Sequence, residues 1–523
     1  MNLFARLAIL VLGCLGAAAA EGGNLIENGQ FEIADKSTMA PAGFTLEGNV
    51  AFGVLGDANQ ERGGRGLRLL SSVNAGEHGD AHGSITTTVR NLTSRHGRWF
   101  RLRLRGLAQD GFLVDQDDLY ASLEFFRDDG KNNLDHIRKS IYGSITRDRK
   151  ILKDDGTNKR LGRAVWRSFD LEFRTPFPEV DTLVVGVGFG HGKGSGQRSE
   201  FWISEIQLMP IPVPADYVAP TGGIVSLGKE CLPEMVPLGG RWYFDPRGGD
   251  RIPPAEFNHA NADRLFYLSD RLEAPFEDNM SAWLRKGYLD RAGELVKEDR
   301  FEPENVIVSF SATYLAIRTK CLPNHPTAVF PDVEGSLDGN PNYIQEKNLV
   351  FSIPLEPSEN PRHVAMQNGD NSNRALPRGP IGVAVNGIVF FNPFDQGGVE
   401  ALQRLDRCCG HPSPNAMYHY HKYPVCVKSP WADDGRTHSP VIGFAFDGYP
   451  IYGPYESKGL LAKDDSARPL NAFNMHFDAL RGWHYHVTPG RFPHVIGGYW
   501  GTAEVRRPPG PPPGVGGSGR PPE

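Results

Sequence analysis

The chain has 523 residues, 56 Lys+Arg against 62 Asp+Glu, a formal net charge of -6 and a pI near 6.3. That balance lacks the basic footprint of a nucleic-acid binder. With 61 Gly, 41 Pro and 39% hydrophobic residues, many turns and short strands are expected, which excludes helical bundles and solenoids.

Met1 to Arg6 carries one positive charge, the run from Leu7 onward is apolar, and Ala17 to Ala20 precede Glu21. This is the order of parts in a secretory signal peptide, so residues 1–20 are read as a leader and the mature protein as secreted or periplasmic. Val11-Leu12-Gly13-Cys14 supports a minority alternative, a lipid-anchored cysteine. No later segment approaches ~18 uninterrupted apolar residues, so no transmembrane helix is predicted. Loss of the leader leaves Cys231, Cys321, Cys408, Cys409 and Cys426. In an oxidising compartment this suggests up to two disulfides. Either Cys408 or Cys409 can close a short loop to Cys426, and Cys231 with Cys321 is the remaining pair.

From Asn24 to about Pro212 strand follows strand. Trp99 to Arg105 alternates apolar and basic residues, as a half-buried strand should. Leu119 to Phe126, Ser168 to Phe173, Thr182 to Phe189 and Phe201 to Met209 read likewise, giving an all-β sandwich. The opening Asn24 to Glu32 and the closing Phe201 to Ile206 resemble the first and last strands of galactose-binding-like jelly rolls, including carbohydrate-binding modules. That resemblance implies a glycan or cell-envelope polymer as partner. Trp99, Trp166 and Trp202 are available for sugar stacking, although an inward tryptophan is the ordinary outcome on such strands. Arg127 to Arg160 is charged and reads as a solvated loop or extended hairpin. Pro212 to Pro220 has linker composition. Within the 214–304 segment, Asn261 to Tyr267 and Ala282 to Leu284 look helical, and Arg506 to Glu523 has the composition of a disordered Pro/Gly-rich tail.

Chemistry concentrates in the histidines. Eight of the 16 lie between His411 and His494, and Tyr418-His419-Tyr420-His421 is echoed by Trp483-His484-Tyr485-His486. Alternation on a strand puts each pair of histidines on one face and the aromatic residues on the other. Two such pairs on facing strands would supply four nitrogens to one metal ion. His419, His421, His484 and His486 are the first candidate ligands, and His411 and His438 the next. Tyr420 and Tyr485 would brace them from the opposite face. All-imidazole ligation suits copper or zinc. Asp447-Gly448 looks like a tight turn, and Asp447 is a candidate to accept a ligand histidine's second N–H. His476 and His494 read as solvent-exposed. Two alternatives compete: a metal-free enzyme using histidine acid–base chemistry, and a non-catalytic binding protein with a structural histidine cluster. No Gly-x-Ser-x-Gly elbow, phosphate-cradling loop or His-Glu-x-x-His helix occurs.

These residues resemble the YHYH-domain family of exported bacterial proteins. The tetrapeptide at Tyr418, Leu405 to His411, Val441 to Pro454, Pro323 to Pro326, Asn340 to Asn342 and Gly382 to Gly387 all look like family segments. The resemblance covers roughly Asn305 to Glu504, implies a bridge from Cys408 to Cys426, and leaves Cys409 as a departure that could bias a nearby metal toward copper(I) or zinc. The expectation is a mainly β protein: a jelly-roll sandwich over 21–213, a linker and mixed segment over 214–304, and a mostly-β YHYH domain with a few short helices over 305–505.

Overall fold

A computed structural model describes residues 23–37, 40–48, 50–54, 65–71, 82–92, 98–108, 119–141, 152–154, 159–161, 166–190, 199–213, 235–246, 249–258, 260–261, 264–269, 288–289, 295–296, 305–325, 327–328, 330, 340, 342–366, 374–395, 400–402, 405–426, 433 and 435–503. The leader, the C-terminal tail, Cys231 and the 282–284 segment lie outside them. Strands dominate throughout, and the helical material among the described residues includes a single turn of 3-10 helix at Ala462–Asp464.

The N-terminal unit is a sandwich of two five-stranded antiparallel sheets. Alternation explains both faces of the strand Trp99–Ala108: Phe100, Leu102 and Leu104 are fully buried, while Arg101 and Arg103 pair across the sheet with Glu172 and Asp170 at 2.6 and 2.7 Å. Trp99 is buried at 3% exposure, and Trp166 and Trp202 are half-buried. The charged stretch after Arg127 follows the extended-hairpin alternative. Asn132–Ser140 is a strand paired antiparallel with Leu119–Arg127, and within it Leu134 is fully buried. The helical reading of Asn261 to Tyr267 is also corrected. Leu265–Tyr267 is a strand paired with Trp242–Phe244, where all three side chains are buried and packing overrides local propensity.

The C-terminal unit is organised by one eight-stranded sheet. Its strands are β1 (Pro380–Ala384), β2 (Val389–Phe391), β3 (Gly410–Pro412), β4 (Tyr418–Tyr420), β5 (Val441–Ala445), β6 (Pro450–Tyr452), β7 (Met475–Asp478) and β8 (Gly482–His486). The spatial order is β3-β4-β2-β1-β5-β6-β8-β7. The second half of that order repeats the first in mirror sequence about the β1–β5 junction. At the junction Gly382 faces Ala445, Val383 faces Phe444 and Ala384 faces Gly443. Val383 therefore meets its own counterpart, and Gly382 and Ala384 each meet the counterpart of the other, as in an isologous two-fold contact. The amide of Val385 donates to Ile442 O, and that of Phe446, 61 positions further on, donates to Ile381 O.

The copies agree in local chemistry. Gly387 and Gly448, with φ of 85° and 94°, turn the chain between β1 and β2 and between β5 and β6, and each amide donates back to Ala384 O or Ala445 O at 2.8 and 3.0 Å. Before β3, Asp406 accepts from the amides of Cys408 and Gly410. Before β7, Asn471 accepts from those of Phe473 and Met475. Cys409 and Asn474 occupy the same left-handed position, φ 67° and 64°.

The two units share a continuous apolar core. Polar anchors cross between them: Lys422 Nζ contacts Asp135 at 2.6 and 2.7 Å, with both side chains buried, and the Tyr455 hydroxyl donates to Glu179 at 2.6 Å.

Candidate metal centres

The two tetrapeptides form the innermost part of two separate histidine clusters. In the first, called site A, His419 on β4 and His421 just beyond it project to one face, and His411 on β3 lies directly opposite His419. The Nε2 atoms of His419 and His421 are 3.0 Å apart, and those of His421 and His411 are 3.1 Å apart. The other nitrogens are committed. His419 Nδ1–H donates to Met417 O at 2.9 Å and His421 Nδ1–H to Asn392 O at 2.7 Å. A neutral imidazole that donates from Nδ1 carries a lone pair on Nε2, so two lone pairs face one another at hydrogen-bond distance with no proton to share. Adding one is disfavoured. Burial, then the neighbouring His421, holds His419 well below the usual histidine range, and burial lowers His421 to about 4. Phe391 stacks on the His419 ring at 3.8 Å between centroids.

The opposite face of β4 carries Tyr418 and Tyr420, both fully buried. Tyr418 donates its hydroxyl to Asp406 at 2.8 Å. The Tyr420 oxygen is held by Asn386 at 3.0 Å and by a short contact with His325 Nε2. These tyrosines fix β4 from behind, which keeps the histidines aimed.

Site B is built from the second copy in the same way and then extended. His484 and His486 lie on β8, and His476 on β7 is opposite His484. Their Nε2 atoms are 3.1 Å (His476 to His484) and 3.2 Å (His484 to His486) apart. His438, ahead of β5, and Glu456, beyond β6, join them. Glu456 Oε2 lies 3.2 Å from His476 Nε2, 3.4 Å from His486 Nε2 and 3.9 Å from His438 Nε2. In site B all four rings are anchored through Nδ1 to a carbonyl, as His419 and His421 are in site A: His476 to Arg468, His484 to Gly482, His486 to Gly453 and His438 to Ser439, at 2.6–2.9 Å. Burial would raise the Glu456 carboxyl, but His476 and His486 hold it far below the usual carboxylate range. Burial lowers His484, His486 and His438, whereas at His476 burial is outweighed by the hydrogen bond with Glu456, which raises it.

The expected single four-nitrogen shell is therefore corrected. β4 and β8 are five strand spacings apart in the sheet, roughly 24 Å at ~4.8 Å per strand, and their histidines belong to different groups. The partner strand of each tetrapeptide is the preceding hairpin arm, β3 or β7. His476, read as exposed, is 5% exposed and inside site B. His494, read likewise, is buried at 1% and makes a short contact with Glu400, beside His136 of the sandwich.

Asp447 does not orient a histidine. Its Oδ2 accepts from the Tyr485 hydroxyl at 2.6 Å and from the Gly501 amide at 2.9 Å, because the histidine Nδ1 atoms are already satisfied by main-chain carbonyls. Tyr485 is fully buried, whereas Trp483, the first aromatic of the second tetrapeptide, is 37% exposed. Glu456 was missed: nothing in Tyr455-Glu456-Ser457 marks it until the fold brings it to the histidines.

Cys408 and Cys426 are disulfide-bonded. Cys321 is a buried thiol whose Sγ donates to Tyr418 O at 3.3 Å; Cys231, its expected partner, lies outside the described residues. Cys409 is free and outside both sites. Burial pushes its thiol up to about 11.

Residues 350–468 match the family model described as YHYH protein, so the chain carries a YHYH domain. The matched stretch holds all of site A with His438 and Glu456, and stops short of His476, His484 and His486. No curated protein matches. The solved structures found include a carbohydrate-binding module in complex with β-1,4-galactotriose, at 12% identity over 36% of this chain and 100% of that chain, TM-score 0.20. A family 11 carbohydrate-binding module of a Clostridium thermocellum cellulosomal cellulase is similar at 10% identity over 37% and 97%, TM-score 0.22. A cyclase from Fischerella sp. TAU is similar at 13% identity over 37% and 100%, TM-score 0.21. No function is carried across from likenesses this remote.

Proposed function

We propose that this chain is an exported metal-binding protein whose YHYH domain holds two transition-metal ions, one at site A and one at site B, with zinc or copper as the metal. The observation that carries this reading is the pair of Nε2 atoms of His419 and His421, 3.0 Å apart, while both Nδ1 atoms are spent on carbonyls. Metal–nitrogen bonds of ~2.0–2.1 Å give nitrogen–nitrogen edges of about 3.3 Å around a tetrahedral ion and about 2.9 Å around an octahedral one. The separations of 3.0–3.2 Å at the two sites fall in that interval. A cation is also the natural partner for converging lone pairs in a buried setting, where an unshared pair is costly.

Metal analysis of untagged protein tests this. The expected content is two equivalents, falling to one when His419 and His421 are both replaced by alanine, and to one when His484 and His486 are. Metal-free protein that cannot be reconstituted with zinc or copper would overturn the reading in favour of metal-free acid–base chemistry or a structural cluster.

In the same proposal the sandwich attaches the protein to a glycan or cell-envelope polymer, with the half-buried Trp166 and Trp202 as the aromatic surface. Retention on insoluble polysaccharides should weaken in Trp202→Ala, and absence of retention in the native protein would remove this part.

A further inference from the structure

The two-fold relation between the copies extends past the histidines and makes a specific assignment. The carbonyls that anchor His421 and His486 are those of Asn392 and Gly453, at 2.7 and 2.6 Å. Each begins the same four-residue step: Asn392-Pro393-Phe394-Asp395 in the first copy and Gly453-Pro454-Tyr455-Glu456 in the second. Three residues beyond each anchoring carbonyl stands a carboxylate. In site B that carboxylate reaches the ring nitrogens, with Oε2 3.2 Å from His476 and 3.4 Å from His486. In site A its counterpart, Asp395, is one methylene shorter, and among the described residues the tight donor group consists of His411, His419 and His421.

A second asymmetry points the same way. His438, the donor that precedes β5, has Pro377 at the matching position before β1. Site B thus offers a mutually close group of three imidazoles and a carboxylate, with His476 beside it, whereas among the described residues site A offers three imidazoles. Three protein donors leave a transition-metal ion short of its usual four.

Resting on the two-metal reading above, we infer that site A keeps an exchangeable coordination position for a small oxygen ligand or anion, with Asp395 as the counterpart of Glu456 in site B, while site B is closed by its own four donors. A ligand of the water, hydroxide or small-anion class fits this position. Asp395 is a positioning residue there, accepting a hydrogen bond from a protonated ligand and repelling an anionic one.

The test uses the full chain loaded with copper(II), with azide as the exogenous ligand and its charge-transfer absorption as the readout. One azide per chain is expected. The band should disappear in the His419→Ala/His421→Ala variant and persist in His484→Ala/His486→Ala. Asp395→Glu, which restores the length of Glu456, should weaken azide binding at least tenfold by closing the position. Asp395→Asn, which keeps the shape and removes the charge, should tighten it severalfold. Azide binding that follows site B, or equal azide affinity in the native protein and both Asp395 variants, overturns the inference. Absence of copper from site A in the native protein, read by metal analysis before azide is added, instead overturns the two-metal reading on which it rests.

Discussion

Asp447 accepts a 2.6 Å hydrogen bond from the hydroxyl of Tyr485, at the place where the first copy of the repeat uses Asn386 to hold Tyr420 at 3.0 Å. Both residues precede the glycine of a tight turn, and both grip the central tyrosine of an aromatic-His-Tyr-His strand. One is a carboxylate and the other an amide. The difference has a thermodynamic consequence, because Asp447 is fully buried and its carboxyl is pushed up to about 6, chiefly by burial.

A carboxyl raised in the folded state binds its proton more tightly there than in the unfolded chain. Between pH ~4, the unfolded value, and pH ~6 the native state holds the proton and the unfolded state does not. Asp447 therefore contributes a loss of stability as pH rises through that window, roughly 3 kcal/mol in all. Asp447→Asn removes the titration while keeping the side-chain volume that Asn386 shows to be compatible with the turn. Denaturant unfolding of metal-free protein at pH 4 and pH 7 should show the variant gaining relative to the native chain at the higher pH. Parallel pH profiles for the two proteins would contradict this account.

The turn glycines give a second test. Gly387 has φ of 85°, and a Cβ there would lie 2.6 Å from Thr319 Oγ1 and from Val306 Cγ2. Gly387→Ala combines backbone strain with a clash against two buried groups, so a destabilisation of about 2–4 kcal/mol is expected. Gly459→Ala is the control: its φ is 66°, but nothing lies within 4 Å of an added Cβ, so only the strain of about 1 kcal/mol should remain. Urea midpoints of the two variants should differ accordingly.

The strand-rich architecture and the facing of each histidine pair were legible in the sequence, because alternation is a local property of His419-Tyr420-His421 and His484-Tyr485-His486. It did not disclose their partners. Which strand faces which is fixed by the turns at Gly387 and Gly448 and by the β1–β5 junction, and those place the two tetrapeptides at opposite ends of the sheet. The repeat itself was obscured because only a few positions keep their chemistry across the copies: the asparagine and aspartate before the turn glycines, the histidines, and the proline of the carboxylate step. Glu456 became recognisable only once the rings of His476 and His486 stood beside it. Asp395, its counterpart, has no signature outside that comparison.

The buried pair Lys422 and Asp135 ties site A to the sandwich. Lys422 follows His421 directly, and its ammonium lies 2.6 Å from Asp135 with both side chains almost wholly excluded from solvent. Removing one partner leaves an uncompensated charge, so Lys422→Met should cost about 3–5 kcal/mol. Lys422→Met with Asp135→Asn should recover much of it, since the pair as a whole contributes less than either half costs to lose. Because the two units share one apolar core, unfolding of the native chain should be a single transition by both fluorescence and circular dichroism. Separate transitions would show that the units are energetically independent.

The disulfide bears on one site and not on the other. Cys408 and Cys426, separated by 18 positions, bracket His411, His419 and His421, so every histidine of site A lies within the closed loop and none of site B does. Closing a loop of this length removes unfolded-state entropy equivalent to about 3 kcal/mol at 25 °C. It also confines β3 and β4, whose pairing places His411 opposite His419. Cys408→Ser with Cys426→Ser should therefore lower stability by up to that amount and weaken metal binding at site A selectively. The measurement is a competition with a chelator of known affinity. Two classes of bound metal are expected in the native protein, and in the double variant the class lost with His419→Ala should move to weaker binding while the class lost with His484→Ala stays in place. Equal weakening of both classes would mean that the bridge stabilises the whole domain without shaping site A, and that β3 and β4 are held in register by Asp406 and its hydrogen bonds to Tyr418, Cys408 and Gly410.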